Sequence, residues 1–154
     1  MSMRRLLSLV FVFALCLPAQ AEDANGFGIA FNHVALSVAD VNRSAAFYRD
    51  VFGLDEIVNR TEIVGIRWFS LGEGKELHLI SVIREPVMLN KAVHFAVTTP
   101  AFEGFVQGLR DRGVEFSDFA GASGEVTIRA DGARQVYLQD PDGYWIEVNS
   151  VAAD

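Results

Sequence analysis

Cysteine, histidine and positive charge are all scarce in this chain of 154 residues, which holds one Cys, three His and 13 Lys and Arg against 20 Asp and Glu. A single thiol cannot form an intrachain disulfide. That thiol, Cys16, lies in an N-terminal apolar stretch, so the folded domain is expected to use neither a thiolate nucleophile nor a thiolate metal ligand. The formal net charge of −7 argues against nucleic acid or an anionic membrane surface as partner. Long hydrophobic runs are missing too. The apolar stretch Leu6–Leu17 spans 12 residues, whereas a membrane-spanning helix needs about 20.

What surrounds that stretch gives it a different meaning. Arg4 and Arg5 precede it, and Pro18-Ala19-Gln20-Ala21 follows it. Basic residues, a short apolar segment and an A-x-A end are the order of a secretory signal peptide. Residues 1–21 are therefore expected to be removed after Ala21, placing the protein in the periplasm or outside the cell, with no membrane association after cleavage. Leu15 stands before Cys16 where a lipoprotein signal needs a small residue. Loss of Arg4 and Arg5 would leave 11 basic residues against 20 acidic ones. Such a product is held together by its core, and 51% apolar residues make that feasible. Residues 22–30 read as a flexible lead-in and 31–152 as a single domain.

Within that domain the pattern occurs twice. The first module, 31–83, opens on an alternating strand, Phe31–Val38. Asp40 can cap a helix with apolar positions Val41, Ala45, Tyr48 and Phe52, ended by Gly53. Strand-like segments follow at Leu54–Asn59, Glu62–Leu71 and Glu76–Ile83. The second module, 92–150, opens on Ala92–Thr98. Thr99 and Pro100 are expected to start its helix, with Pro at the first position, and Phe102, Phe105, Val106 and Leu109 as the buried stripe. Gly113 ends it, and strands are expected at Val114–Phe116, Glu125–Ala130, Arg134–Gln139 and Tyr144–Ser150. The expected fold class is α+β, two βαβββ modules, with a period of about 60–70 residues between repeats.

All three histidines fall on matching positions of this repeat. His33 and His94 sit in the first strand of each module, and His78 and Glu147 in the last. Imidazole and carboxylate together suit a divalent ion such as Zn, Ni, Co, Mn or Fe, and affinity order favours Cu²⁺ or Zn²⁺ in an oxidising setting. Glu147 lies between Ile146 and Val148, and a charge on the core-facing side of a strand is costly unless a cation meets it. A histidine in a strand is also an ordinary hydrogen-bonded residue, and His78 has the further options of supporting a ligand or facing solvent. Arg67, Arg129 and Arg134 read as edge or surface charges. Trp68, Phe69, Tyr144 and Trp145 read as strand packing.

The segments His33–Asp40, Ser44-Ala-Ala-Phe-Tyr48, Val51–Leu54, Glu76–Ile80 and Asp140-Pro-Asp-Gly-Tyr-Trp-Ile-Glu147 resemble the vicinal oxygen chelate superfamily. That group spans glyoxalase I, epimerases, extradiol dioxygenases, and fosfomycin and bleomycin resistance proteins. The resemblance covers Phe31 to Ser150. It implies a curved mixed sheet around a central metal cavity, with His33, His78, His94 and Glu147 at the ligand positions, a small-molecule substrate and a homodimer. It further implies Lewis-acid chemistry, in which two neighbouring substrate oxygens chelate the ion. Glu147, Tyr137 and Glu76 are the candidate acid/base groups. A glyoxalase-like lyase or isomerase is the leading expectation. An extradiol-type dioxygenase is the alternative, weakened because Ile128, Arg129 and Ala130 occupy the window where those enzymes carry a histidine. A non-catalytic binder of a small ligand or metal is the third.

Overall fold

A computed structural model describes residues 29–151, and its compact unit begins at Phe31. The expected signal peptide and nearly all of the lead-in lie outside the described residues. No described helix is long and apolar enough to cross a membrane.

The first module runs β1 (His33–Ser37), α1 (Val41–Phe52), β2 (Glu56–Ile57), β3 (Ile66–Gly72), β4 (Lys75–Ile80); the second runs β5 (His94–Thr98), α2 (Phe102–Arg112), β6 (Thr127–Ile128), β7 (Arg134–Gln139), β8 (Trp145–Asn149). Each builds a four-stranded mixed sheet of the same order, β1-β4-β3-β2 and β5-β8-β7-β6. In each, the strand before the helix pairs in parallel with the last strand, and the remaining pairings are antiparallel. The expected α+β class and the two-module plan are present. The sheets are two separate four-stranded sheets and do not close into one.

Helix limits follow from local chemistry. The Asp40 carboxylate accepts from the amides of Asn42 and Arg43 at 2.8 and 3.2 Å, capping α1. Gly53 and Gly113 end the two helices in the left-handed conformation, both at φ 66°. The expected start of α2 is corrected: the helix begins at Phe102. Thr99 Oγ1 accepts from Ala101 N, which closes a separate turn through Pro100 first. Three strand expectations shrink as well. Val114–Phe116 is not a strand, β6 keeps only two residues and β2 only two. Beside these stretches, Gly121, Gly124 and the Asn59–Gly65 turns redirect the backbone.

Strand alternation gives each sheet two unlike faces. One face is core: Leu36, Phe69, Leu77 and Leu79 from the first sheet, Val136, Leu138, Ile146 and Val148 from the second, each at most 4% exposed. The helices cover it with Ala45 and Tyr48 from α1 and Phe102, Val106 and Leu109 from α2. Burying one such aromatic or aliphatic side chain stabilises the fold by about 1.5–3 kcal/mol. Phe52 and Phe105 join the helices, ring centroids 5.5 Å apart.

The turn between β7 and β8 fastens the modules together. Asp140 accepts from Asp142 N and Tyr144 N, both at 2.9 Å, and from the Tyr48 hydroxyl of α1 at 3.0 Å. Asp142 accepts from Ala39 N at 2.8 Å, Arg43 Nη2 at 2.9 Å and Ser44 Oγ at 2.6 Å. Tyr144 Oη brackets Ser37, accepting from its N and donating to its O, both at 3.0 Å. Burial, foremost, raises the Asp140 carboxyl above its ordinary value.

Candidate metal centre

The other face of each sheet carries the polar groups, and register makes the repeat explicit. His78 lies opposite Ala35 of β1 and Trp68 of β3. Glu147 lies opposite Ala96 of β5 and Tyr137 of β7. His78 and Glu147 are thus equivalent, as are Trp68 and Tyr137, and His33 and His94 each precede the matching alanine by two residues.

In the second module, Glu147 is the centre of a network. It is 6% exposed. Its Oε2 accepts from the Tyr137 hydroxyl at 2.5 Å and lies 3.5 Å from His94 Nε2. Its Oε1 accepts from Asn149 Nδ2 at 2.8 Å, with Arg129 Nη1 at 3.7 Å. His94 Nδ1 lies 2.8 Å from the Lys91 carbonyl. A carbonyl only accepts, so Nδ1 donates there and Nε2 is the nitrogen turned toward Glu147. Burial, then the hydrogen bond and charge of Glu147, raise the Tyr137 phenol well above its usual range, so it remains a donor.

In the first module, His78 is sandwiched between rings. It stacks on Trp68 at 4.2 Å and 6° and on His33 at 4.3 Å and 16°. Its Nε2 donates to Glu76 Oε2 at 2.7 Å. His33 Nδ1 lies 2.7 Å from Asn32 Oδ1, which leaves His33 Nε2 as the nitrogen not engaged by that contact.

The donors fit a divalent ion in chemistry. Two ligands on one tetrahedral ion with bonds of about 2.1 Å stand about 3.4 Å apart, close to the 3.5 Å between His94 Nε2 and Glu147 Oε2. Yet among the described residues no three His, Cys, Asp or Glu side chains come together as a metal-holding group. The four expected ligands appear as two pairs, His33 with His78 and His94 with Glu147. Of the three acid/base candidates, Tyr137 and Glu147 touch each other, and Glu76 touches His78.

A model of the glyoxalase/bleomycin resistance protein/dioxygenase superfamily matches residues 30–148. The chain belongs to that superfamily. Among its superfamily relatives is metallothiol transferase FosB of Staphylococcus saprophyticus, 26% identical over 126 residues, with 79% of this chain and 76% of that one covered. A glyoxalase/dioxygenase from Nostoc punctiforme superposes with a TM-score of 0.67 at 25% identity, over 87% of this chain and 99% of that one. Oxidase ChaP-H2 superposes with a TM-score of 0.67 at 22% identity, over 81% and 95%, which is a likeness of fold.

Several polar partners escaped the sequence reading. Arg129, read as a surface charge, reaches Glu147. Arg67 and Arg134, read as edge or surface charges, lie on the interior strands β3 and β7 and form surface ion pairs with Glu56 and Glu103. Trp68, read as strand packing, lies against His78, whereas Phe69 is fully buried in the core. Trp145 lies under the Lys91 ammonium, 4.6 Å from the ring centroid. Asn149 shows the signal that was available: it lies two residues from Glu147 in one strand, and alternation puts both on one face.

Proposed function

We propose that the protein is an exported, divalent-metal-dependent enzyme, a glyoxalase-like lyase or isomerase acting on a small oxygen-rich compound. The observation that carries this reading is the His94–Glu147 pair. It has a buried carboxylate, an imidazole whose free nitrogen is fixed by a backbone carbonyl, and a ligand-like separation. His33 supplies a second free imidazole nitrogen. His78, equivalent to Glu147 by register, completes the proposed set of four, with its Nδ1 as the nitrogen left over from Glu76.

When bound there, a divalent ion supplies Lewis-acid polarisation of two adjacent substrate oxygens. The chain's own residues do the rest. Tyr137 and Asn149 each hold one oxygen of Glu147 and so fix the carboxylate plane. Tyr137 stays protonated and acts as a donor. Glu147 and Glu76 are the groups available to take a proton.

The reading includes a homodimer. The two pairs lie apart within one chain, and exposed apolar residues flank the site strands: Phe31 at 61%, Val93 at 56%, Phe119 at 57% and Ile128 at 71%. A second copy would bring His33 and His78 of one protomer to His94 and Glu147 of the other, covering apolar surface at the same time. Elemental mass spectrometry of residues 22–154, wild type beside His94→Ala and Glu147→Ala, tests the metal. About one divalent ion per chain, lost in both variants, is expected. A wild type that holds no metal after reconstitution sinks the reading.

A further inference from the structure

Lys91 and Arg129 are the two long cations near Glu147, and they are used differently. Lys91 Nζ donates to Ser117 Oγ, Asp118 O and Phe119 O at 3.0–3.3 Å, so its three protons are spent. Arg129 spends one N–H on Asp131 Oδ2 at 2.9 Å. That bond steadies the guanidinium, while Nη1 stands 3.7 Å from Glu147 Oε1, beyond hydrogen-bond length. The side chain remains 39% exposed.

A second polar group lies on the same face of the sheet. Gln135 lies between Thr127 and Asn149 by register and two residues before Tyr137, on the polar face. It is only 7% exposed. Among the described residues no group bonds its side-chain amide. No fully buried side-chain nitrogen or oxygen lacks a partner, so this amide must open onto a solvent-reached crevice. The amide and the guanidinium N–H groups not spent on Asp131 are donors still open to a ligand.

We propose that Arg129 and Gln135 form an oxyanion subsite beside Glu147, which takes a carboxylate or equivalent anionic oxygen group of the substrate. Arg supplies the planar charged donors that such a group pairs with, and Gln adds a neutral donor on the opposite strand. The subsite deepens the metal-centred reading and rests on it: the substrate becomes an anionic chelator whose charge meets the Arg129 guanidinium.

Calorimetric titration with glycolate, and with its neutral analogue glycolamide, tests this on the zinc-reconstituted protein. Glycolate is expected to bind at least about tenfold tighter than glycolamide. Arg129→Met and Gln135→Leu are each expected to lose about tenfold in glycolate affinity, with Arg129→Lys recovering part. Zinc content and thermal unfolding of Gln135→Leu and of Arg129→Lys, which keeps the charge beside Glu147, should match the wild type. Equal glycolate affinity in wild type and both variants, or equal affinity for the two probes, overturns the subsite. Should the protein take no zinc, the metal reading fails separately. The same titration on the metal-free protein then decides the subsite, with Arg129-dependent glycolate binding supporting it and Arg129-independent or absent binding overturning it.

Discussion

In β4, His78 is held by rings, between Trp68 and His33, with Glu76 on its edge. At the matching place in β8, Glu147 is held by hydrogen bonds from Tyr137 and Asn149, with His94 and Arg129 beside it. The same backbone pairing therefore presents an aromatic stack in one module and a buried, charged network in the other. Stacking tolerates a missing partner because each contact is weak and non-directional. A buried carboxylate does not, because each lost donor leaves it less compensated. The second module is thus the one expected to depend on a cation, and the first to supply imidazole to it.

The largest expected effect follows from that asymmetry. Glu147→Ala should abolish metal binding, whereas Trp68→Phe should leave it nearly intact; equal losses measured by elemental mass spectrometry would erase the distinction between modules. Mixing unfolded His33→Ala and His94→Ala chains and refolding them together should restore part of the metal, since a mixed dimer would hold one intact site. No restoration would place both halves of the site in one chain.

Next in size is the fastening between modules. Asp142→Ala removes the acceptor for Ala39, Arg43 and Ser44 and should cost about 3 kcal/mol of unfolding free energy by denaturant titration. A loss that splits unfolding into two transitions would show that the modules are stable separately.

Smaller still, Tyr137→Phe should weaken metal affinity by about tenfold without changing stoichiometry, because it removes a support and no ligand. An unchanged affinity in a competition titration would reduce Tyr137 to packing.

The smallest effect concerns pH. Because burial raises the folded-state value of Asp140 above the ordinary 3.8, its contribution to stability is fully present below pH 3.8 and lost as pH rises through the raised value. Asp140→Asn should therefore gain on the wild type as pH rises over that interval. A constant difference between the two stability curves would remove the effect.

Much of this was legible in the chain itself. Asp40, Gly53 and Gly113 bound their helices as read, because caps and left-handed residues act within a few residues of sequence. The repeat placed His33 with His94 and His78 with Glu147 because strand pairing copies sequence spacing into register. Less regular stretches were not legible. Val114–Phe116 has strand composition, yet it runs as a loop whose bridge to Tyr137 begins only at Ser117. The two parts of the family motif, Ser44–Tyr48 and Asp140–Glu147, were visible as separate segments. Their joining through Tyr48–Asp140 and Ser44–Asp142 was not, since such bonds span 92 and 98 residues.

The sequence by itself determined the two modules, both limits of α1 and the end of α2, and the four metal-type side chains at equivalent strand positions, because periodicity and capping are local. Only the tertiary structure decided that these four form two pairs, that Arg129 reaches Glu147, and that the Gln135 amide stays open to solvent on the polar face. Each of those depends on the distance between strands and turns that the chain brings together only by folding.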